Sequence, residues 1–587
     1  MGGRASHRGR GGFGACARLI AGYCPATAAV LAALALILGA GPAGAATPHM
    51  DRVEAAMREV APNLEGVVYA RTENNRFVGY NGRARSWLLQ TPDCWGQRAC
   101  RNAVGIRRFL RTLTADLARA RKVVDLTTLI PFPFGGFQRA IVRGLRRAYA
   151  SGNRPLIRVL GGCAPPCGFT PASSPAEPDA GLLSAAIGRR AKVIVASYRY
   201  PPVGTPAALP SLSWNHAKTI SIDGRVALVG GHNLWGADYI QGYPRRALVN
   251  PVHDVTIRVE GPVTAAVHKY VNGLWRAVCA AARVTPADAA NGARVAYGAA
   301  TPRTCPARVR PPRSPRTAGV DVLGFGELGL RGVRVPGSPG RSAGPSAPND
   351  PGPCPSPLPY YTPGAVSPDW TNDPAYSRAF DRRNPAGAAF RSLIKSARSS
   401  VFLAQQDLHG ICNPPAPAIT PNFDQRLLDA IAGRLLAGVD VRVVISTPGA
   451  AVSAQETYSN SISLSQTSDA VFERTRSLAR SAARARRAVR DHFRLRAIRF
   501  SDAGVWPDAP PQLNKIANHS KLGMVDNCAI WVGSDNLYPF WLSEYSLLVE
   551  NRRVARIFKR DYADQLWIYS AGGRPLPGRP CPRRAGP

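Results

Sequence analysis

The sequence predicts an α/β protein of two similar lobes, each a mixed sheet flanked by helices. Three observations lead there. Amphipathic helical stretches alternate with short β-branched runs, the same order of elements occurs twice, and a Pro/Gly/Ser-rich stretch separates the two occurrences. In the first lobe, 109–120 (FLRTLTADLARA) reads as an amphipathic helix and 122–130 (KVVDLTTLI) as a buried strand. Residues 137–152 (FQRAIVRGLRRAYASG) then read as a helix and 155–162 (PLIRVLGG) as a strand. In the second lobe, 389–399 (AFRSLIKSARS), 400–408 (SVFLAQQDL), 423–438 (FDQRLLDAIAGRLLAG) and 439–447 (VDVRVVIST) repeat that order.

The chain has 587 residues, room for about three ordinary domains or two large ones. Its 45% hydrophobic content can fill sizeable cores and excludes a wholly disordered chain. Its 56 glycines and 53 prolines follow no triplet period, which excludes a collagen-like fibre. The expected division is a leader at 1–45, a first lobe at 46–330, a linker at 331–370 and a second lobe at 371–587.

The leader reads as a secretory signal peptide. Arg4, Arg8, Arg10 and Arg18 precede the apolar run Ala26–Leu38, and Ala43-Gly44-Ala45 offers a small-x-small cleavage site. The apolar run is short for a bilayer span. A secreted protein is therefore expected, and export makes disulfides plausible among the ten cysteines that follow the leader. A zinc site at Cys163 and Cys167 lacks a matching ligand pair nearby.

The formal net charge is +38, which invites a nucleic-acid or anionic-membrane reading. Yet only eight residues are lysine. The arginines that make up the rest are spread along the chain, so the charge is diffuse and identifies no patch.

The scarce residues are more informative. NHAKTISIDGRVALVGGHN holds His216, Lys218, Asp223, Gly230, Gly231 and Asn233, and NHSKLGMVDNCAIWVGSDN holds His519, Lys521, Asp526, Gly533, Ser534 and Asn536. Both fit H-x-K-x4-D-x6-G-[GS]-x-N, each near the end of its lobe. Histidine and lysine two apart on a strand project from one face. That pair suits an anion: lysine supplies a compact charge to a phosphate oxygen, and histidine a nucleophile or proton near neutral pH. Asp and Asn can orient these groups or bind further oxygens, and the glycine turns let the backbone approach the ligand. Two such halves facing each other make one site at their interface. One histidine attacks phosphorus, the other protonates the leaving oxygen, and no metal or cofactor is required.

This duplicated motif resembles that of the phospholipase D superfamily. The resemblance extends over nearly the whole mature chain and narrows to the secreted actinomycete-type enzymes. ATPHMDRVEAAMREVAPNLEG, SWLLQTPDCWG, TLIPFPFGGFQRAIV, SWNHAKTISIDG, QQDLHGIC and VGSDNLYPFWL are similar to successive family blocks. It implies two phospholipase D-like α/β lobes with one active site between them. It also implies a monomer that cleaves phosphatidylcholine to phosphatidate and choline at a membrane or micelle surface, with transphosphatidylation to alcohols. Nucleic acid is not the expected partner, and a secreted phosphodiesterase or nuclease of the same superfamily is the alternative. A non-enzymatic lipid-surface binder is a third reading, against which two intact motifs argue.

By position, the resemblance makes His216 the nucleophile that forms a phosphohistidine and His519 the general acid and then base. Lys218, Lys521, Asn233 and Asn536 would bind phosphate. Asp254 and Glu544 would orient the two histidines. Asp223 and Asp526 belong to the catalytic motif, with a structural or pKa-tuning role favoured. Trp235, Tyr239 and Tyr458 would line a head-group pocket able to hold a choline cation. The implied disulfides are Cys94–Cys100, Cys279–Cys305 and Cys354–Cys412. Cys528, inside the motif strand, is expected to be buried and not to pair with Cys581. His232 and Asp535, beside the glycine turns, depart from the family residues.

Overall fold

The computed structural model describes residues 48–77, 86–98, 104–129, 133–163, 175–200, 213–235, 239, 252–285, 292–316, 319–329, 378, 380–411, 421–450, 462–506, 514–538, 542–577 and 581. The expected leader and linker lie outside them. In chain order the strands are β1 (Ala70–Asn75), β2 (Leu88–Thr91), β3 (Val123–Thr128), β4 (Leu156–Gly162), β5 (Lys192–Tyr200), β6 (Ser213–Trp214), β7 (Thr219–Ile222), β8 (Val226–Gly230), β9 (Val252–Glu260) and β10 (Gly292–Tyr297). They continue as β11 (Val320–Leu328), β12 (Ser400–Ala404), β13 (His409–Ile411), β14 (Pro421–Phe423), β15 (Asp440–Ile445), β16 (Phe493–Ala497), β17 (Ala517–Asn518), β18 (Lys521–Val525), β19 (Ala529–Gly533) and β20 (Ser543–Glu550). The principal helices are α1 (Pro48–Val60), α2 (Val104–Leu117), α3 (Gly136–Ala150), α4 (Ala176–Ile187), α5 (Val263–Ala281), α6 (Pro385–Lys395), α7 (Gln425–Leu436), α8 (Leu464–Leu478) and α9 (Ala482–His492).

Each repeated helix forms because its apolar residues recur at helical spacing. On α3, Phe137, Ala140, Ile141, Gly144, Leu145 and Ala148 form one buried stripe. On α7 the stripe is Leu427, Leu428, Ile431 and Leu435, and the Asp424 side chain caps the first turn through the Arg426 and Leu427 amides. Burying one such leucine or isoleucine stabilises the fold by about 1.5–3 kcal/mol. The strands between them are buried on both faces, as parallel strands covered by helices must be.

The two main sheets share one plan. In the first sheet, β5, β4 and β3 run parallel, and β7, β8 and β9 then pair antiparallel in sequence. In the second, β16, β15 and β12 run parallel and β18, β19 and β20 follow antiparallel. Next to β9 lies β2, and next to β20 lies β11, both antiparallel.

The sheets do not divide at the proline-rich segment, which corrects the lobe boundaries read from the sequence. Strands β1 and β11, from the chain before that segment, belong to the second sheet. Strand β17, from the chain after it, pairs with β9 of the first. Composition marks where a chain leaves its layers, but hydrogen-bond pairing decides which sheet a strand completes.

Cys279 and Cys305 are bonded, as the resemblance implied. Cys528 and Cys581 are bonded as well, against expectation. Cys528 lies in the tight turn between β18 and β19, after Asp526 and Asn527 at positive φ, not in the strand interior. Cys94 and Cys163 are disulfide-bonded too, whereas Cys100, Cys354 and Cys412 lie outside the described residues.

Candidate active site

Both motifs enter the core in the same way. Asn215 donates to the Thr128 carbonyl at the end of β3 (2.7 Å), and Asn518 to the Gln405 carbonyl after β12 (2.9 Å). The residue after each asparagine is the motif histidine. The His216 amide donates to the Ser543 carbonyl at 2.9 Å, and the His519 amide to the His253 carbonyl at 2.7 Å. Each histidine is thus anchored on one sheet's chain and stitched to a strand of the other. The two asparagines stand in the motif strings themselves, but a sequence reading weighted toward reactive groups passes over them.

The side chains repeat that crossing. His216 Nδ1 donates to Glu544 Oε1 on β20 at 2.6 Å, and His519 Nδ1 donates to Asp254 Oδ2 on β9 at 2.8 Å. Holding the proton on Nδ1 leaves Nε2 of each ring for chemistry. His216 and His519 are 4% and 3% exposed, so the rings are reachable but dry. Burial, followed by Lys218 and Lys521, holds His216 well below the usual imidazole range; burial and the same lysines do so for His519. Burial pushes Asp254 up to about 7 against Lys521, the Val255 amide and the Tyr239 hydroxyl. It pushes Glu544 up to about 7 against Lys218, the Ser534 hydroxyl and Lys521.

Lys218 and Lys521 are both buried, and Lys521 Nζ donates to the His519 carbonyl at 2.6 Å. Asn233 Oδ1 and both amide atoms of Asn536 are buried without a hydrogen-bond partner among the described residues. Buried amides left unpaired are costly; a phosphate oxygen would satisfy the Asn536 N–H group, while the carbonyl oxygens of Asn233 and Asn536 call for a donor. The glycine turn is needed for steric reasons: a Cβ at Gly231 would strike the Asp254 carboxylate and the His519 carbonyl.

The motif aspartates take the structural role that the sequence favours, and the place of Tyr239 differs from expectation. Asp223 and Asp526, counted with the catalytic motif, act on the backbone. Asp223 accepts from the amides of Arg121, Lys122 and Val123 at 2.7–2.9 Å, and Asp526 from those of Arg398, Ser399 and Ser400 at 2.8–2.9 Å. Each sits at positive φ in a hairpin turn, which aspartate tolerates well, and ties it to the start of β3 or β12. Tyr239 is completely buried and does not line a head-group pocket. Its hydroxyl donates to Asp254 Oδ2 at 3.1 Å and accepts from the Asn233 amide at 2.9 Å, so it steadies the carboxylate behind His519. Trp235 is buried in a small cluster with Leu129, Trp214 and Leu542 and stacks against the exposed Phe134. Tyr458 lies outside the described residues.

The surroundings of the two orienting carboxyls differ. Opposite Asp254 on the neighbouring strand stands Thr91. His232 bridges Thr91 Oγ1 (2.9 Å) and Thr256 Oγ1 (2.8 Å). Opposite Glu544 stands Glu327. Asp535, which occupies the place of His232, accepts from the Ser546 hydroxyl, the counterpart of Thr256.

Two imidazoles freed at Nε2, two buried lysines and unpaired amides, gathered between two like sheets, define an enzyme that cleaves a phosphate diester. Known proteins agree with that class. No family model matches the chain. Over 548 residues it is 36% identical to the phospholipase D of Streptomyces antibioticus, which covers 92% of this chain and 90% of that protein. The chain belongs to the phospholipase D family and is an enzyme of that activity. Among solved structures it is similar to the phosphatidylserine synthase of Haemophilus influenzae, with a TM-score of 0.45, 11% identity and coverage of 88% of this chain and 91% of that one. It is also similar to Nuc, a phospholipase D family member from Salmonella typhimurium, with a TM-score of 0.18, 20% identity and coverage of 32% of this chain and 93% of that one.

Proposed function

We propose that the protein is a secreted phospholipase D that hydrolyses phosphatidylcholine to phosphatidate and choline and transfers the phosphatidyl group to alcohols. The observation that carries this reading is the crossed pair of hydrogen bonds, His216 to Glu544 and His519 to Asp254, which leaves both Nε2 atoms available. His216 Nε2 attacks phosphorus while His519 gives a proton to the departing choline oxygen, so that the P–O bond breaks as a P–N bond forms. His519 then takes a proton from water or an alcohol, whose oxygen attacks phosphorus and releases His216. Lys218, Lys521, Asn233 and Asn536 hold the phosphate oxygens, and the two ammonium groups offset charge built up in the transition state. The bound diester anion, lying between the lysines, favours the protonated form of His519 that the first step consumes. The exposed Phe134 ring, backed by Trp235, suits a choline head group or lipid surface. The enzyme acts as a monomer on phospholipid at a membrane or micelle surface, without a nucleic-acid partner. The Cys279–Cys305 and Cys528–Cys581 bonds support an exported protein.

The test supplies phosphatidylcholine with ethanol in the presence of EDTA and follows choline and phosphatidylethanol. Both are expected from the native enzyme and neither from His216→Ala, and labelled lipid should trap a phosphohistidine only when His216 is present. Folded protein that makes neither product, or that cuts DNA faster than it releases choline, would overturn the proposal.

A further inference from the structure

Behind His216 the structure gathers more carboxyl groups than orientation of one ring requires. Glu327 on β11 stands directly opposite Glu544 on β20. In an antiparallel pair, opposite residues share a face, with Cβ atoms about 4.5–5.5 Å apart. Both line one cavity with Asn536, Phe390, Arg391 and Leu542. Asp535 follows β19, is 2% exposed and has one oxygen, Oδ1, buried without a hydrogen-bond partner among the described residues. The first sheet shows what the site of Asp535 does. There His232 spans the residue opposite the carboxyl (Thr91) and the residue two further along its strand (Thr256). Asp535 takes the second of those contacts, to Ser546, and its charge is felt at Glu327 as that of Glu544 is felt at Asp535.

Three carboxylates so close cannot all be ionised. The groups facing the cluster are His216, Lys218, Lys521, Tyr198, Tyr270 and Tyr545, together with Arg391, Arg426, Asp381 and Asp424 around the cavity on the Glu327 side. Arg391 and Arg426 share Asp381, at 2.7 and 2.8 Å, and Arg391 also lies 3.9 Å from Asp424, so the two guanidinium groups are matched by two carboxylates of their own. The lysines act on Glu544, which burial pushes up to about 7. Burial pushes Asp535 well above the usual carboxylate range, and Glu327, half-buried at the cavity wall, is pushed the same way by desolvation and by its carboxyl neighbours Asp535 and Glu544. Negative charge therefore settles on the member that touches His216, and the other two keep their protons.

We propose that Glu327 and Asp535 are positioning residues that stand as neutral acids beside Glu544, concentrating a single negative charge on the oxygen that holds the His216 ring. A neutral acid beside a carboxylate donates a hydrogen bond to it. Glu544 thereby stays ionised to lower pH than its burial alone would allow, and His216 keeps its proton on Nδ1. This rests on the catalytic role of His216 proposed above, but its physical content does not depend on turnover.

Infrared spectroscopy of the full-length enzyme at pH 8 separates protonated from ionised carboxyl groups. The native protein is expected to show a protonated-carboxyl stretch that weakens in Glu327→Gln and again in Asp535→Asn. An infrared band that neither substitution changes would overturn the proposal, whether or not the enzyme turns over. Activity supplies the second arm. Glu327→Gln keeps a neutral donor, so its kcat/KM should stay within about threefold of native, with the acid limb of the pH profile in place. Glu327→Leu fills the space without a donor and should move that limb up by about one pH unit. If Gln and Leu give the same profile, Glu327 only packs and the proposal fails.

Discussion

The two halves of the site share a skeleton and differ in chemistry. Behind His519 the first sheet places Thr91, His232 and Thr256; behind His216 the second places Glu327, Asp535 and Ser546. The backbone pairings that present the histidines are the same in both halves, down to the asparagine before each ring. Geometry is thus set by the repeated strands. What differs is the company each carboxyl keeps: imidazole and hydroxyl groups on one side and carboxyl groups on the other, while Lys218 and Lys521 act on both.

The largest effect should come from removing either ring. His216→Ala and His519→Ala should each lower kcat by about 10⁴-fold or more, since residues acting as a unit lose most of their effect together. A single-turnover assay then distinguishes the halves: a phosphoenzyme should still form slowly in His519→Ala and not at all in His216→Ala. If both variants form it equally, the assignment of roles is wrong.

Next come the orienting carboxyls. Glu544→Gln and Asp254→Asn keep the shape but can present an N–H where the ring's Nδ1–H needs an acceptor, and a loss of about 10²–10⁴-fold in kcat/KM is expected for each. A loss below tenfold in either would mean that its half does not depend on ring orientation.

The same carboxyls set the pH response. Asp254 and Glu544 are both pushed up to about 7 by burial. Below that pH each becomes neutral and the imidazole N–H loses its anionic acceptor, so kcat/KM should fall as pH drops through about 7. Stability should run the other way. A carboxyl whose folded pKa is raised binds its proton more tightly folded than unfolded, so the fold weakens as pH rises from the ordinary carboxylate range through about 7. Kinetics and thermal melts over the same buffers check both slopes, and parallel slopes would contradict the reading.

The turn aspartates come next. Asp223→Asn or Asp526→Asn weakens three backbone contacts, for which a destabilisation of about 1–3 kcal/mol is expected, read by denaturant titration. The folded fraction should keep most of its kcat; a kcat loss as large as that of Glu544→Gln would restore these residues to catalysis. The smallest effect is that of Tyr239→Phe. It removes the hydrogen bonds to Asp254 and from the Asn233 amide, for which a loss of about tenfold in kcat/KM is expected, with no change at the His216 half.

Much of this was legible in the sequence because it rests on period and spacing. The repeated helices form where FQRAIVRGLRRAYA and QRLLDAIAGRLL place apolar residues three and four apart. The paired His-x-Lys spacing located both ends of the site. What was not legible depends on partners distant in the chain. Composition near residue 331 says nothing of β1 and β11 joining the second sheet, since strand pairing is set across hundreds of residues. Tyr239 looked like a pocket aromatic until Asp254 was seen to take its hydroxyl. Cys528 looked like a strand residue until the turn at Asp526 and Asn527 turned it toward Cys581.

The crossed carboxyls also constrain how such a chain can change over generations. A change at Glu544 is felt at His216, and a change at Asp254 at His519, each a ring carried by the other half. Groups that close within a single half have no such tie. Thr91, His232 and Thr256 answer to the first sheet, and Glu327, Asp535 and Ser546 to the second, and it is in these two sets that the repeated plan differs most.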